Sequence, residues 1–353
     1  MAYTTIDDPE AYFQVKLYTG SGSIQAITLD GDTDMQPDFI WCRSRGADRH
    51  HYLADAVRGV KGRLRSDVDN ANYTAGATDG FDSFDSDGFT LEEDASSLGL
   101  NESSHSMVAW CWKANGTGSS NTDGTINTTA TSASTTSGFS ITQYTGNATD
   151  NATVGHGLGV AAEMLLGKDT SDGSGWVTWH KRHTNAAYRM SLSSTGSQWD
   201  NTDALGGTGR TLPTSTVFSL GSAGGLNGTN GNIVYCFASV QGFSAIGSYE
   251  GNGNADGTFV YTGFRPAYVM TKSIDSTSSW QIFDNKREGY NVDNDALVAE
   301  ARTLEGTTDY IDLLSNGFKL RIATDPNVAE TFIYMAFAEA PFVNSNGVPN
   351  NAR

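Results

Sequence analysis

Basic residues are scarce in this chain: 22 Lys and Arg stand against 40 Asp and Glu in 353 residues, a formal net charge of −18. No basic run exists to displace counterions from phosphate, so nucleic-acid binding is not expected. An anionic membrane surface would repel the same charge. Cysteine is nearly absent. Cys42, Cys111 and Cys236 are too few and too scattered for a disulfide framework, and they read as reduced, buried, small apolar residues of a protein made in a reducing cytoplasm. No apolar run approaches the roughly 18 residues of a membrane span, so membrane insertion is not expected. The opening MAYTTIDDPEAYF lacks the basic start and apolar core of a secretory signal. The Asn-x-Ser/Thr triplets at Asn115, Asn147 and Asn227 therefore read as turn chemistry. Also missing are a G-x-S-x-G elbow, a phosphate loop and a dinucleotide fingerprint. Among so many acidic residues nothing singles out a carboxylate pair for sugar hydrolysis. No catalytic residue, cofactor or metal is assigned, and a non-enzyme is expected.

What is abundant is glycine, at 40 positions, together with Ser, Thr, Asn and Asp, while charged residues make up only 18%. Such a composition belongs to short strands joined by many turns, an all-β protein. Self-similarity then sets the architecture. An opening strand recurs as YFQVKLYTGSG from Tyr12, GFSITQYTGNA from Gly138 and GFSAIGSYEGNG from Gly242, each with a Tyr-x-Gly signature, at Tyr18, Tyr144 and Tyr249. A second strand ends in a cation each time, Arg43, Lys168 and Lys272. A third alternates aromatics, in HHYLAD, GWVTWHK and SWQIFDNKR. A closing strand places Trp112, Phe237 and Phe337 in register, with Cys111, Cys236 and Ala336 at one shared position. The opening and closing strands are apolar on nearly every position, as buried central strands are.

These patterns predict three tandem antiparallel β-sandwich repeats of about 100 residues, of Greek-key or jelly-roll type. The first spans 1–114 with insertions, and a polar linker over 115–137 follows, expected to be flexible or surface-hugging. The second spans 138–241 and the third 242–353, with a polar C-terminal tail. VDNDALVAEARTL from Val292 predicts a short helical insertion in the third repeat, capped by Asp293 or Asn294. The second and third repeats follow without a gap and should be rigidly coupled.

Candidate sites are few. His180 and His183 converge on a metal only on a helix, and their segment reads as strand or turn, so surface histidines are expected. His50 and His51 are adjacent and point to opposite faces, and His156 reads as a turn residue. Asp30, Asp32 and Asp34 begin like a calcium loop but lack its later Gly and Glu, and Asp293, Asn294 and Asp295 carry the same reservation. The sharper hypothesis concerns sugar: Trp176, Trp179 and Trp280 on the third strands as stacking platforms, with Asp284 and Arg287 orienting hydroxyls. Its rivals are that these tryptophans pack against an adjoining repeat and that Asp284 pairs with Arg287.

As a set, DDPEAYFQVKLYTG, FDSDGFTL, VAWCWKANG, YTGN, VGHGLGVA, TSTVFSLG, GFSAIGSYEGNG, FVYTGFRPAYV, LSNGFKLR and the ending NAR resemble a repeat family in virion and tail-associated proteins of marine tailed phages, including those of cyanobacteria. The resemblance covers nearly the whole chain. It implies lectin-like β-sandwich structural or fibre components and carries no catalytic residue. A departure is Ala162, where the other copies have Pro37 and Pro266. The implied function is a structural virion protein, tail-associated or exposed on the particle, contributing to assembly or host-glycan attachment. Its implied partners are other virion proteins and copies of itself, a trimer favoured. The alternatives are a head decoration or connector protein without ligand, and a depolymerase of host glycans.

Overall fold

A computed structural model describes residues 3–74, 80–94, 99–222, 224–287, 291 and 295–351. Turn residues interrupt the chain every few positions, so the strands stay short and pair antiparallel. The only helical element among the described residues is the 3-10 turn Pro9–Ala11, whose first amide is capped by Asp8. The fold is all-β.

Three long sheets share one strand order. In the first, Phe13–Thr19 pairs with Ser106–Trp112, which pairs with Phe39–Ser44, followed by Tyr52–Asp55. The second runs Phe139–Thr145, Gly231–Phe237, Met164–Asp169, Val177–His180, and the third Ser244–Glu250, Thr331–Pro341, Phe264–Ser273, Gln281–Asp284. The strand that comes last in each segment thus lies inside its sheet, which is why it is apolar on both faces. Val108, Trp110 and Trp112 point to one side, and Met107, Ala109 and Cys111 to the other. Behind each long sheet packs a small one: Gln25–Thr28, Gly88–Leu91 and Phe81–Asp85; Thr153–Gly155 and Val217–Ser219; Phe259–Tyr261, Gly317–Leu320 and Ile311–Leu314. Each long and small sheet closes a sandwich, and Cys42, Cys111 and Cys236 lie unpaired in the cores between them.

The other faces of the three long sheets meet in one shared core. Phe13 stacks on Phe337 with centroids 5.0 Å apart, Phe39 lies 4.3 Å from Tyr235 and 5.9 Å from Phe139, and Phe237 lies 6.1 Å from Phe337. Trp112, Phe237 and Phe337 are all buried there. Aromatic pairs of this kind add about 0.5–1.5 kcal/mol each beyond the area they bury.

The Tyr-x-Gly signature has a physical cause. The hydroxyls of Tyr18, Tyr144 and Tyr249 donate to the carbonyls of Leu100 (2.7 Å), Leu226 (2.8 Å) and Pro326 (2.8 Å). The next residue is each time a buried asparagine, Asn101, Asn227 or Asn327, whose side-chain oxygen accepts from a backbone amide, of Ser21, Asn147 or Asn252. The glycines Gly20, Gly146 and Gly251 sit so close to this loop that a Cβ would lie 2.2, 1.9 and 1.9 Å from a carbonyl oxygen. No side chain fits there. The burial of Asn227 also leaves no room for a glycan on it.

Two expectations need correction. The segment 115–137 is not a loose linker: Ala130–Ser134 pairs with Phe139–Thr145 as a fifth strand of the second sheet, and Ser119 bridges to Thr131 and Ile126 to Val154. Thr128 and Ser132 are buried and accept the amides of Asn121 and Asn115. A backbone ladder does not depend on apolar content, which is why composition misjudged it. The helix expected from Val292 is also absent from the described part of its segment, where Leu297–Val298 adds an edge strand beside Gln281–Asp284. Val292, Asp293 and Asn294 lie outside the described residues.

Candidate functional site

The proposed sugar platforms face inward. Trp176, Trp179 and Trp280 are 1%, 3% and 1% exposed, which leaves no indole face for a sugar ring. Two of them instead fasten neighbouring sandwiches. Trp176 Nε1 donates to the Arg65 carbonyl at 2.8 Å, and Trp280 Nε1 to the Ser191 carbonyl at 3.0 Å. Trp179 lies in the second sandwich's own core.

Asp284 and Arg287 do come together, but with each other. Nε of Arg287 lies 2.6 Å from Oδ2 of Asp284, both side chains are fully buried, and the same oxygen accepts Trp110 Nε1 at 2.9 Å from the first sandwich. Asp55 and Arg58 repeat this arrangement at the matching place, 2.6 Å apart, and reach Tyr235 of the second sandwich. In the second sandwich that place holds His180 and His183. Both are buried, contrary to the expected surface histidines, and His183 Nδ1 lies 2.9 Å from the Tyr188 carbonyl. Burial pushes His180 well below the usual histidine range and His183 down to about 4. Each junction thus carries a polar pin at the end of a third strand.

The second-strand cations are buried at the same junctions. Arg43 donates to the Thr303 carbonyl at 2.7 Å and Lys272 to the Thr195 carbonyl at 3.0 Å, while Lys168 caps the carbonyls of Asp169 and Asp172. His156 is a packed turn residue 3.1 Å from the Thr214 carbonyl. Asp30 pairs with Lys16 and Asp295 with Arg45. Among the described residues no group of three or more His, Cys, Asp or Glu is placed to hold a metal, and no helix is long and apolar enough to cross a membrane.

An open cleft of about 360 Å³ lies where the first two sandwiches meet, lined by Asp69, Trp176, Arg189, Ser193, Trp199 and Gly225 among others. Its wall is a two-stranded ribbon, Tyr188–Arg189 against Trp199–Asp200, in which Arg189 stands directly opposite Trp199. That register lays the guanidinium over the indole, 5.1 Å from the ring centroid, a contact worth roughly 0.5–1 kcal/mol in such a setting. Trp199 is 38% exposed.

The Arg189 side chain has no hydrogen bond to any described residue, and its buried Nε lacks a partner. Burial therefore pulls its guanidinium below the usual arginine range, with Asp203 acting in the opposite direction. Across the cleft Asp69 accepts the Ser193 hydroxyl, which also contacts Ser191 Oγ at 2.9 Å. The loop leading to Trp199 is tied down by the third sandwich: Ser278 N donates to Thr195 at 3.0 Å and Gln198 N to Ile274 at 3.2 Å. An exposed aromatic face, a guanidinium with no hydrogen-bonded partner among the described residues and a hydroxyl–carboxylate pair are thus presented on a fixed frame. Of the five expected residues only Trp176 reaches this cleft, as its floor. The missed signal was Trp199 itself, alone in the polar stretch GSQWDN, where nothing apolar is available to bury it.

A family model described as Domain of unknown function (DUF7483) matches residues 8–341. No curated protein and no solved structure matches the chain.

Proposed function

The chain belongs to the DUF7483 family, and we propose for it the role of a structural protein of a tailed-phage particle, tail-associated, that attaches to host-surface glycans. The phage assignment rests on the sequence resemblance given above, and the virion is its proposed location. The observation that supports attachment is the cleft: Trp199 offers an exposed indole beside Arg189, Asp69 and Ser193, on loops held by three mutually packed sandwiches. Flat, rigid aromatic surface costs little entropy when a sugar ring stacks on it, and loops on a stiff scaffold are where binding residues concentrate. Other virion proteins are the proposed partners, together with copies of the chain itself, a trimer favoured.

Two experiments test the reading. Immunogold electron microscopy with an antibody to the chain should label the tail of particles whose genome encodes it. Label confined to the head, or none on the particle, refutes the tail assignment. The purified protein should also adsorb to host cells, and adsorption should fall after periodate oxidation of their surface sugars. A decoration protein without ligand would not adsorb.

A further inference from the structure

We infer that the cleft between the first two sandwiches binds a saccharide bearing a carboxylate, which Arg189 recognises while the ring stacks on Trp199. The inference rests on the glycan-attachment reading and adds the class of sugar.

It is carried by Arg189. A guanidinium taken partly out of water normally keeps a carboxylate or several carbonyls against its N–H groups, because an uncompensated charge is costly to desolvate. Arg58 and Arg287 hold aspartates in this way, and Arg43 and Lys272 hold carbonyls. The Arg189 side chain hydrogen-bonds to no described residue and rests on an indole face instead, with Asp203 acting on it only through space. Its planar fork suits a carboxylate, which it can engage through two parallel hydrogen bonds. The chain's charge of −18 makes this the more pointed, since an exposed anion-binding group must act against the field of the whole protein. Opposite, Asp69 and Ser193 form an acceptor–donor pair of the kind that sugar hydroxyls satisfy. Gly175 and Gly225 line the same cleft and keep it clear of side chains.

The test uses the whole protein and a set of oligosaccharides containing glucuronic, galacturonic or sialic acid, each paired with its carboxyl-reduced form. Isothermal titration should show at least one acidic member binding tenfold or more tightly than its reduced twin. Arg189→Gln should abolish that difference while leaving the melting temperature unchanged within a few degrees, and Trp199→Ala should weaken both forms about tenfold or more. Equal binding of acidic and reduced forms, discrimination that survives Arg189→Gln, or no binding by any acidic member overturns the inference. Adsorption to host cells separates this failure from that of the broader reading. Wild-type adsorption that Trp199→Ala leaves intact sinks the cleft and spares attachment, whereas no wild-type adsorption sinks attachment itself.

Discussion

Replacing Arg287 by methionine tests whether the buried pair with Asp284 holds the third sandwich to the first. Methionine keeps most of the volume but removes the guanidinium. With it go the 2.6 Å bond to Asp284, the 3.2 Å contact to Glu305, the 2.8 Å donation to the Ile282 carbonyl and the cation over the Trp110 ring, 5.8 Å from its centroid. Asp284 stays buried, with Trp110 Nε1 and two backbone amides as its remaining donors. Breaking a buried pair by removing one partner costs about 3–5 kcal/mol, because the other charge is left uncompensated. With an unfolding entropy of about 2.1 cal/mol/K per residue, a chain of 353 residues loses stability by about 0.7 kcal/mol per degree near its midpoint, so 4 kcal/mol lowers Tm by about 5 °C. Scanning calorimetry reads the shift, and urea titration the free energy. The double variant Asp284→Leu/Arg287→Met should recover at least half of the loss, since no charge is then stranded. A cost below about 1 kcal/mol for the single variant, or no recovery in the double, would refute this account.

Four further outcomes follow from the geometry. Gly146→Ala should lower stability by several kcal/mol or abolish folding, because its Cβ would lie 1.9 Å from the Gly228 carbonyl oxygen; urea midpoints for Gly146→Ala and for the exposed control Gly46→Ala should differ accordingly. Burial holds the neutral forms of His51 and His183, with pKa pushed down to about 3 and about 4, below the unfolded value near 6.5. The unfolded chain therefore binds more protons, and stability should fall as pH drops from about 6.5 towards 4, by about 2 kcal/mol per histidine at pH 5, a slope that denaturation at stepped pH would measure. Burial pushes the thiols of Cys42 and Cys236 up to about 12 and that of Cys111 well above the usual thiol range, so native thiol titration should be slow and complete only on unfolding. Limited proteolysis should spare Ala130–Ser134, and first cleavage there would contradict its place in the sheet.

Much of the architecture was legible because it repeats. The Tyr-x-Gly signature, the closing aromatics and the shared cysteine position each marked a place that the sheets treat alike. What stayed hidden lay between the sandwiches. Trp176 and Trp280 stood between a sugar-stacking face and packing against an adjoining repeat, because alternation in one strand says nothing about a second protein layer on its outer face. His180 and His183 read as surface residues, yet the repeat alignment puts them where Asp55/Arg58 and Asp284/Arg287 stand, and that comparison would have placed them at a junction. The shared buried role of Asn101, Asn227 and Asn327 escaped notice, Asn227 being read as turn chemistry, because a buried amide and a turn amide look the same in sequence. Trp199 and Arg189 are distant from any repeated motif. Only the ribbon register sets one over the other.

The shared aromatic core has a consequence for synthesis. Phe13, Trp110 and Trp112 leave the ribosome with the first sheet, yet the surface that covers them includes Phe337, on the last strand. Phe337 follows Trp112 by 225 residues. At about 5–20 residues per second their translation takes roughly 11–45 seconds. For that interval a broad aromatic face is without its final cover, long enough for neighbouring nascent chains on one polysome to meet. Slow translation or crowded expression should therefore favour aggregates seeded by N-terminal fragments, and chaperones that hold exposed apolar surface should raise the yield of the finished chain more than they raise that of its melting temperature.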